Sequence, residues 1–265
     1  MYTDNLFDLH GKTIVITGGA GYLGSAMSEA LASYGADLFI LGHNSEKNRD
    51  KADELKARYH LRVCESYPFD ISDIQIIKDT FKRIKEKTEK IDVLINNAYY
   101  IGPVHKIEDY EEEEWNQGID GTINSVFRVT KAVIPYMIQQ NSGNIINIAS
   151  MYGMVSPDMG IYGDSGQNNP ANYGAGKAAV IQFTKYIACV YGEKGIRSNA
   201  VSPGSFPDKE TCRKERFIRN LENKVPLKRI GEPEELKGII VFLASDSSKY
   251  VNGQNIAVDG GWTAW

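Results

Sequence analysis

Thr13-Ile14-Val15-Ile16-Thr17-Gly18-Gly19-Ala20-Gly21-Tyr22-Leu23-Gly24 is the stretch that decides the fold. Its first five residues are apolar and β-branched, as a buried strand requires. A glycine turn follows, and a helical pattern then runs on to Gly35. Strand, glycine turn and helix in that order form the dinucleotide-binding fingerprint in its proper context. Glycines let the backbone approach a pyrophosphate, and the unpaired N–H groups of the helix start favour its negative charge. The competing reading of the glycines alone is a tight structural turn.

Working outward, short apolar runs alternate with longer amphipathic ones, which predicts a parallel sheet covered by helices on both faces. Strands are expected at 13–17, 37–41, 63–69, 91–96, 144–149, 197–201 and 255–258. Helices are expected at about 22–34, 46–59, 73–88, 111–140, 172–193, 209–222 and 233–245. These elements fill residues 1–265 without a linker or repeat, so one domain is expected.

Two segments break the alternation. Residues 151–172 are rich in Gly, Pro, Asn and Asp, and residues 203–222 begin with Pro203-Gly204-Ser205-Phe206-Pro207-Asp208 before a short charged helix. Both follow strands and belong at the carboxyl edge of the sheet, where ligands bind in such folds. They are expected to be substrate-side loops; mobile surface insertions are the alternative.

Composition narrows the function. A formal net charge of −4 with no basic stripe argues against nucleic acid as a partner. Cys64, Cys189 and Cys212 are far apart, lack metal-ligand spacing and read as thiols of a reducing compartment. No metal site is expected. No apolar run approaches the roughly 18 residues of a membrane span. The start of the chain lacks a basic region leading into an apolar one, so no signal peptide and a cytoplasmic protein are expected.

Tyr173 and Lys177 stand four positions apart at the start of a helix, on one face. Hydride transfer to or from carbon must be matched by proton transfer at oxygen. A tyrosine hydroxyl can serve if its pKa falls from about 10 toward working pH, a shift of about 4 kcal/mol that a nearby ammonium helps to supply. Ser150, at the end of the fifth strand, can donate to the same substrate oxygen. The alternative is a solvated Tyr and Lys with a serine that merely ends a strand.

Taken together these residues resemble the short-chain dehydrogenase/reductase family over essentially the whole chain. The motifs are Thr17-Gly18-x-x-Gly21-x-x-Gly24, Asp70 after the third strand, and Asn96-Asn97-Ala98 after the fourth. Ser150, Tyr173-x-x-x-Lys177, Asn199-Ala200-Val201-Ser202-Pro203-Gly204 and Val258-Asp259-Gly260-Gly261 follow in the family's order. The resemblance implies a single-domain Rossmann-type α/β fold, a doubly wound sheet of about seven parallel strands, and commonly a tetramer or dimer. It implies Tyr173 as acid/base, Lys177 as the partner that lowers its pKa and holds the nicotinamide ribose, and Ser150 as donor to the substrate oxygen. It places Asp70 and Ile71 near the adenine and Asn96, Asn97 and Ala98 along the cofactor. Gly18, Gly21, Tyr22, Leu23 and Gly24 would take the phosphates, and His43, Asn44, Tyr99, Pro203 and Gly204 would also contact the cofactor.

Some positions depart from that pattern. Tyr22 stands where the compact branch has its second glycine, so its side chain must point away or cover the cofactor. The resulting glycine spacing looks more like the sugar-nucleotide epimerase branch. The family's catalytic asparagine in the long fourth helix is replaced by Thr122, whose hydroxyl either holds a relay water or is core packing. Tyr99, followed by Tyr100, replaces a glycine and either narrows the pocket, stacks on substrate, or packs in the core. After the second strand, Leu41-Gly42-His43-Asn44 has no carboxylate for ribose hydroxyls and only His43 for a 2′-phosphate, so the NAD(P) preference leans to NADP.

The interval from Ser150 to Tyr173 is longer than the family's usual one, and its Asp158, Tyr162, Asp164, Ser165, Gln167, Asn168 and Asn169 suit a hydroxylated substrate. With Asn172-Tyr173-Gly174-Ala175-Gly176-Lys177 it looks similar to sugar and sugar-acid oxidoreductases of the family. The reading is therefore an NAD(P)-dependent oxidoreductase interconverting a secondary alcohol and a ketone on a small polar, sugar-derived substrate. A sugar-nucleotide epimerase or dehydratase, and a dinucleotide-sensing protein with weak catalysis, are the alternatives.

Overall fold

A computed structural model describes residues 6–163 and 168–265. Asp164, Ser165 and Gln167 of the predicted polar loop lie outside them. Seven strands form one parallel sheet in the order β3-β2-β1-β4-β5-β6-β7. They are β1 (Thr13–Thr17), β2 (Asp37–Gly42), β3 (Cys64–Pro68), β4 (Val93–Asn96), β5 (Gly143–Ile148), β6 (Ile196–Pro203) and β7 (Asn255–Val258). Each expected strand is present, with ends moved by up to two residues.

Every residue of β1 is buried, as a strand covered on both faces must be. Ile14 and Ile16 pack with Met27, Leu31, Leu236 and Ile240 on one side of the sheet. Val15 faces the other way, toward Phe39, Phe81, Leu94 and Met137. The chain winds from β1 outward to β3, then returns to β4 on the opposite side of β1. The carboxyl ends of β1 and β4 therefore flank the switch point, the crevice in which such sheets bind ligands.

The helices are α1 (Tyr22–Ser33), α2 (Ser45–Tyr59), α3 (Ile74–Lys87), α4 (Glu112–Ile119), α5 (Ser125–Gln140), α6 (Ala171–Tyr191), α7 (Glu215–Lys224) and α8 (Lys237–Ala244). Three differ from expectation, one of them the helix expected from 233, which opens as a 3₁₀ turn, Pro233–Leu236, before α8. The single helix expected at 111–140 is divided by a π-helical turn, Asp120–Asn124, between α4 and α5. Gly118 and Gly121 mark the spot: a Cβ on Gly118 would lie 2.2 Å from Asn172 Nδ2, and one on Gly121 2.0 Å from the Tyr100 carbonyl oxygen. The helix expected at 209–222 starts later, at Glu215, because Asp208 accepts from the Thr211 N–H at 2.8 Å and fixes a turn there.

The long loop after β5 is folded onto α7 rather than loosely attached. Ile161 and Tyr162 share a small apolar cluster with Met151, Phe217, Leu221 and Trp262. Asn220 donates to the Ile161 carbonyl at 3.0 Å, and Lys224 pairs with Asp158 at 2.5 Å. Tyr162, expected as an open hydrogen-bonding side chain, is thus a buried anchor.

A chain of buried polar groups crosses the sheet beside these elements. Asn96 Nδ2 donates to Thr130 Oγ1 at 3.1 Å and to Asn147 Oδ1 at 2.8 Å. Asn147 Nδ2 donates to Thr184 Oγ1 at 2.9 Å, and Thr184 donates to the Val180 carbonyl at 2.8 Å. The Asn96 side chain expected along the cofactor is therefore turned into the core, because the pleat points it at α5 and β5.

Candidate active site

The glycine turn is locked by the chain around it. Gly18, with φ of +65°, donates its N–H to the Leu41 carbonyl at 2.6 Å and accepts from the Gly21 N–H at 2.9 Å. A Cβ on Gly24 would stand 2.0 Å from the Gly18 carbonyl oxygen, so α1 can approach only without a side chain there. Gly21 caps α1 without a side-chain acceptor, and no acid occupies the first turn. The N–H groups of that first turn are left for an anion, which fits the phosphates of a dinucleotide.

Asn97 and Ala98 meet this turn from β4. Asn97 Nδ2 donates to the carbonyls of Thr17 at 3.0 Å and Gly18 at 3.1 Å. The backbone N–H groups of Asn97 and Ala98 both donate to Thr17 Oγ1 at 3.0 Å. The Asn97 amide thus braces the cradle that would hold the phosphates. Tyr22 leaves the turn sideways, and its hydroxyl donates to the Pro207 carbonyl at 2.8 Å. It spans from the start of α1 to the loop after β6.

Asp70, expected near the adenine, accepts from the N–H and hydroxyl of Ser72 at 2.8 and 2.6 Å, which hold its carboxyl below the usual range. Ile71 behind it is buried in the core. His43 is exposed after β2, and its electrostatic field reaches Asp70. Asn44 accepts from the Lys47 N–H at 2.9 Å and so caps α2. Pro203 ends β6; the Gly204 N–H donates to the Val258 carbonyl at 2.9 Å, and a Cβ there would lie 2.5 Å from Asp259 Cα.

Ser150, Tyr173 and Lys177 come together at the carboxyl edge. Ser150 follows β5, accepts from the Tyr152 N–H at 3.1 Å, and lies close enough to the Tyr173 phenol to lower its pKa. Lys177, one turn along α6, donates to the Ile148 carbonyl at 2.7 Å, and its Nζ is 5.6 Å from the Tyr173 ring centre. Burial pushes the Tyr173 phenol up, with only the nearby Ser150 hydroxyl opposing it. The same burial pushes Lys177 down to about 7. The shift of the phenol is thus opposite to the lowering that the residue types suggested, because desolvation outweighs any charge nearby.

Thr122 lies in the π-helical turn, 1% exposed, with its hydroxyl donating to the Gly118 carbonyl at 2.7 Å. It abuts α6 at Gly176, between Tyr173 and Lys177: a Cβ on Gly176 would be 1.8 Å from Thr122 Oγ1. Gly176 is a site residue that motif reading missed; the glycine inside an otherwise helical run was the available signal. Gly176→Ala should destabilise the protein by about 1–3 kcal/mol through overpacking. Thr122→Ala should recover part of that loss, since Thr122 Cβ, 2.6 Å away, remains. Thermal melts of the two single variants and the double variant check the coupling.

Asn172, also not singled out as a site residue, is fully buried and donates to the Trp115 carbonyl at 3.3 Å, tying the start of α6 to the end of α4. Tyr152 shares a 3.0 Å hydroxyl–hydroxyl bond with Tyr162 and lies close enough to Tyr173 to influence it. Tyr100 bonds the Asp120 carboxylate, which also pairs with Arg128. Among the described residues no cluster of His, Cys, Asp or Glu could hold a metal, and no helix is long and apolar enough to cross a membrane.

Comparison with known proteins agrees with this geometry. Residues 19–263 match the family model described as enoyl-(acyl carrier protein) reductase, of the short-chain dehydrogenase type. The chain is 37% identical over 254 residues to the 3-oxoacyl-(acyl-carrier-protein) reductase of Thermotoga maritima, covering 96% of this chain and 98% of that protein. It is 34% identical over 266 residues to the 2-dehydro-3-deoxy-D-gluconate 5-dehydrogenase of Bacillus subtilis, covering 98% of each. It superposes with a TM-score of 0.87 on a gluconate 5-dehydrogenase from Burkholderia cenocepacia in complex with NADP and tartrate, at 29% identity and 98% coverage of both chains. With the seven-stranded parallel sheet and the motifs in order, these matches show that the chain belongs to the short-chain dehydrogenase/reductase family, NAD(P)-dependent oxidoreductases acting on CH–OH groups.

Proposed function

We propose that this chain is an NADP-preferring oxidoreductase that reduces a keto group on a sugar acid, and reoxidises the alcohol, with Tyr173 as the general acid/base. The observation that carries the reading is the convergence of Ser150 and Lys177 on Tyr173 beside the glycine cradle. Two relatives act on gluconate-type molecules, and one is bound to NADP and tartrate. Next to the site, a cleft of about 800 Å³ is lined by His105, Lys106, Tyr152, Asn168 and Asn169. Ile107, Met154, Val155 and Met159 also line it, so the wall is mixed, with His105 and Lys106 as the basic groups that would meet a carboxylate.

In the reading proposed here, a bound nicotinamide supplies the hydride. Ser150 orients the substrate oxygen, and the Tyr173 hydroxyl donates its proton to that oxygen as negative charge develops. A phenol held up by burial is protonated at neutral pH, which is the form that ketone reduction requires. Oxidation needs the phenolate, so its rate should rise with pH across the neutral range while reduction does not. Lys177, with its Nζ 5.6 Å from the Tyr173 ring centre, returns the proton to the phenolate. The residues that would hold the dinucleotide are the first turn of α1, the Gly18–Gly24 cradle, Asp70 and His43.

A screen of keto sugar acids with NADPH and NADH, read by cofactor absorbance, tests this. Turnover of a gluconate-type ketone with NADPH favoured is the expected result; turnover confined to acyl thioesters would defeat the sugar-acid reading. His43→Ala should weaken NADP about two- to fivefold and leave NAD unchanged, the scale of one exposed charge contact. Equal effects on the two dinucleotides would remove His43 from phosphate recognition.

A further inference from the structure

Tyr99 leaves β4 beside the glycine cradle and is 53% exposed. Its ring centre lies 5.6 Å from that of Tyr173, tilted by 52°. The Lys177 Nζ stands over the Tyr99 ring at 4.9 Å from its centre, closer than to Tyr173. That ammonium carries three donors, and the Ile148 carbonyl takes one of them. Among the described residues no carboxylate pairs with it. The groups that face the pair are Ser150 and Tyr152 from the segment after β5, Thr122 from the π-helical turn, and Tyr99 itself. All are hydroxyls or phenols. A buried cation without a counter-ion is costly unless something with negative potential meets it, and the face of an aromatic ring provides that.

We propose that Tyr99 is a positioning residue whose ring holds the Lys177 ammonium charged and pressed against the Ile148 carbonyl, where it supports the Tyr173 phenol. The proposal rests on Tyr173 and Lys177 being the proton-handling pair. Burial alone sets Lys177 near 7, so its charge at neutral pH is finely balanced. A desolvated cation–π contact is strong enough to move that balance by about one pKa unit.

The test is a titration of Lys177 by NMR in full-length protein carrying lysine labelled with carbon-13 at Cε, the resonance being assigned by its loss in Lys177→Arg. Tyr99→Leu should lower the midpoint by about one unit, while Tyr99→Phe, which keeps the ring face, should leave it in place. Tyr99→Trp should hold or raise it, and decides the matter if the leucine variant folds poorly. An unchanged midpoint in Tyr99→Leu, an equal fall in Tyr99→Phe, or a fall in Tyr99→Trp overturns the proposal. In turnover, the acid limb of alcohol oxidation should move to higher pH by the same amount in Tyr99→Leu only. The titration needs no substrate, so failure of the sugar-acid reading and failure of this one are separable.

Discussion

Replacing Tyr173 by Phe is expected to lower kcat by about 10²–10⁴-fold, the usual contribution of a positioned general acid, while the dinucleotide still binds. The change removes one oxygen and keeps the ring that lies against Tyr99 and Lys177. Ser150 is a weaker acid, and Tyr152 is committed to Tyr162, so neither replaces it. Fluorescence titration with NADPH beside steady-state rates separates the two properties. A variant that binds the dinucleotide and turns over at the parent rate would take Tyr173 out of the mechanism. Loss of both would point instead to a collapsed site.

Gly24→Ala should have the opposite signature, losing the dinucleotide before anything else. The added Cβ would meet the Gly18 carbonyl oxygen at 2.0 Å and Asn97 Nδ2 at 3.0 Å. Backbone cannot rotate aside as a side chain does, so α1 must retreat from the turn and withdraw its N–H groups from the phosphates. A 100-fold rise in the Kd for NADPH, about 2.7 kcal/mol, is the expected scale, with a lower Tm. Gly238→Ala is the matched control, because nothing lies within 4 Å of a Cβ there. It sits in α8 and should hold or raise Tm by the ordinary helix preference for alanine. An NADPH affinity unchanged in Gly24→Ala would mean that the turn does not cradle phosphates.

Much of the architecture was legible because the strands advertise themselves. Thr13–Thr17 and Val93–Asn96 are mostly β-branched or apolar runs too short for helices, and the turn after β1 carries its glycines in a spacing that few other structures need. The convergence of Ser150, Tyr173 and Lys177 was equally readable, because strand end and helix start bring fixed positions together. What escaped depends on contacts between distant segments. The π-helical turn is set by Asn172 and Tyr100 pressing on Gly118 and Gly121, which no local period reveals. Asn97 looks like a ligand contact until its amide is seen on the Thr17 and Gly18 carbonyls. Tyr162 looks polar until Phe217 is found 5.7 Å away, ring on ring. The direction of the Tyr173 shift also depends on burial, which a motif does not carry.

The amide–hydroxyl chain through Asn96, Asn147, Thr130 and Thr184 has a bearing on assembly rather than chemistry. Val93–Asn96 and the middle of Gly143–Ile148 are nearly interchangeable hydrocarbon, and two such strands could slide past each other at small cost in burial. The two asparagines pair as Asn96↔Asn147. Another offset would leave Asn96 its bond to Thr130 and Asn147 its bond to Thr184 but would strip the buried Asn147 Oδ1 of its donor, a penalty of about 1–3 kcal/mol. Misaligned intermediates are thereby disfavoured during folding, and the sheet edge that presents Ser150 arrives at a single, reproducible depth.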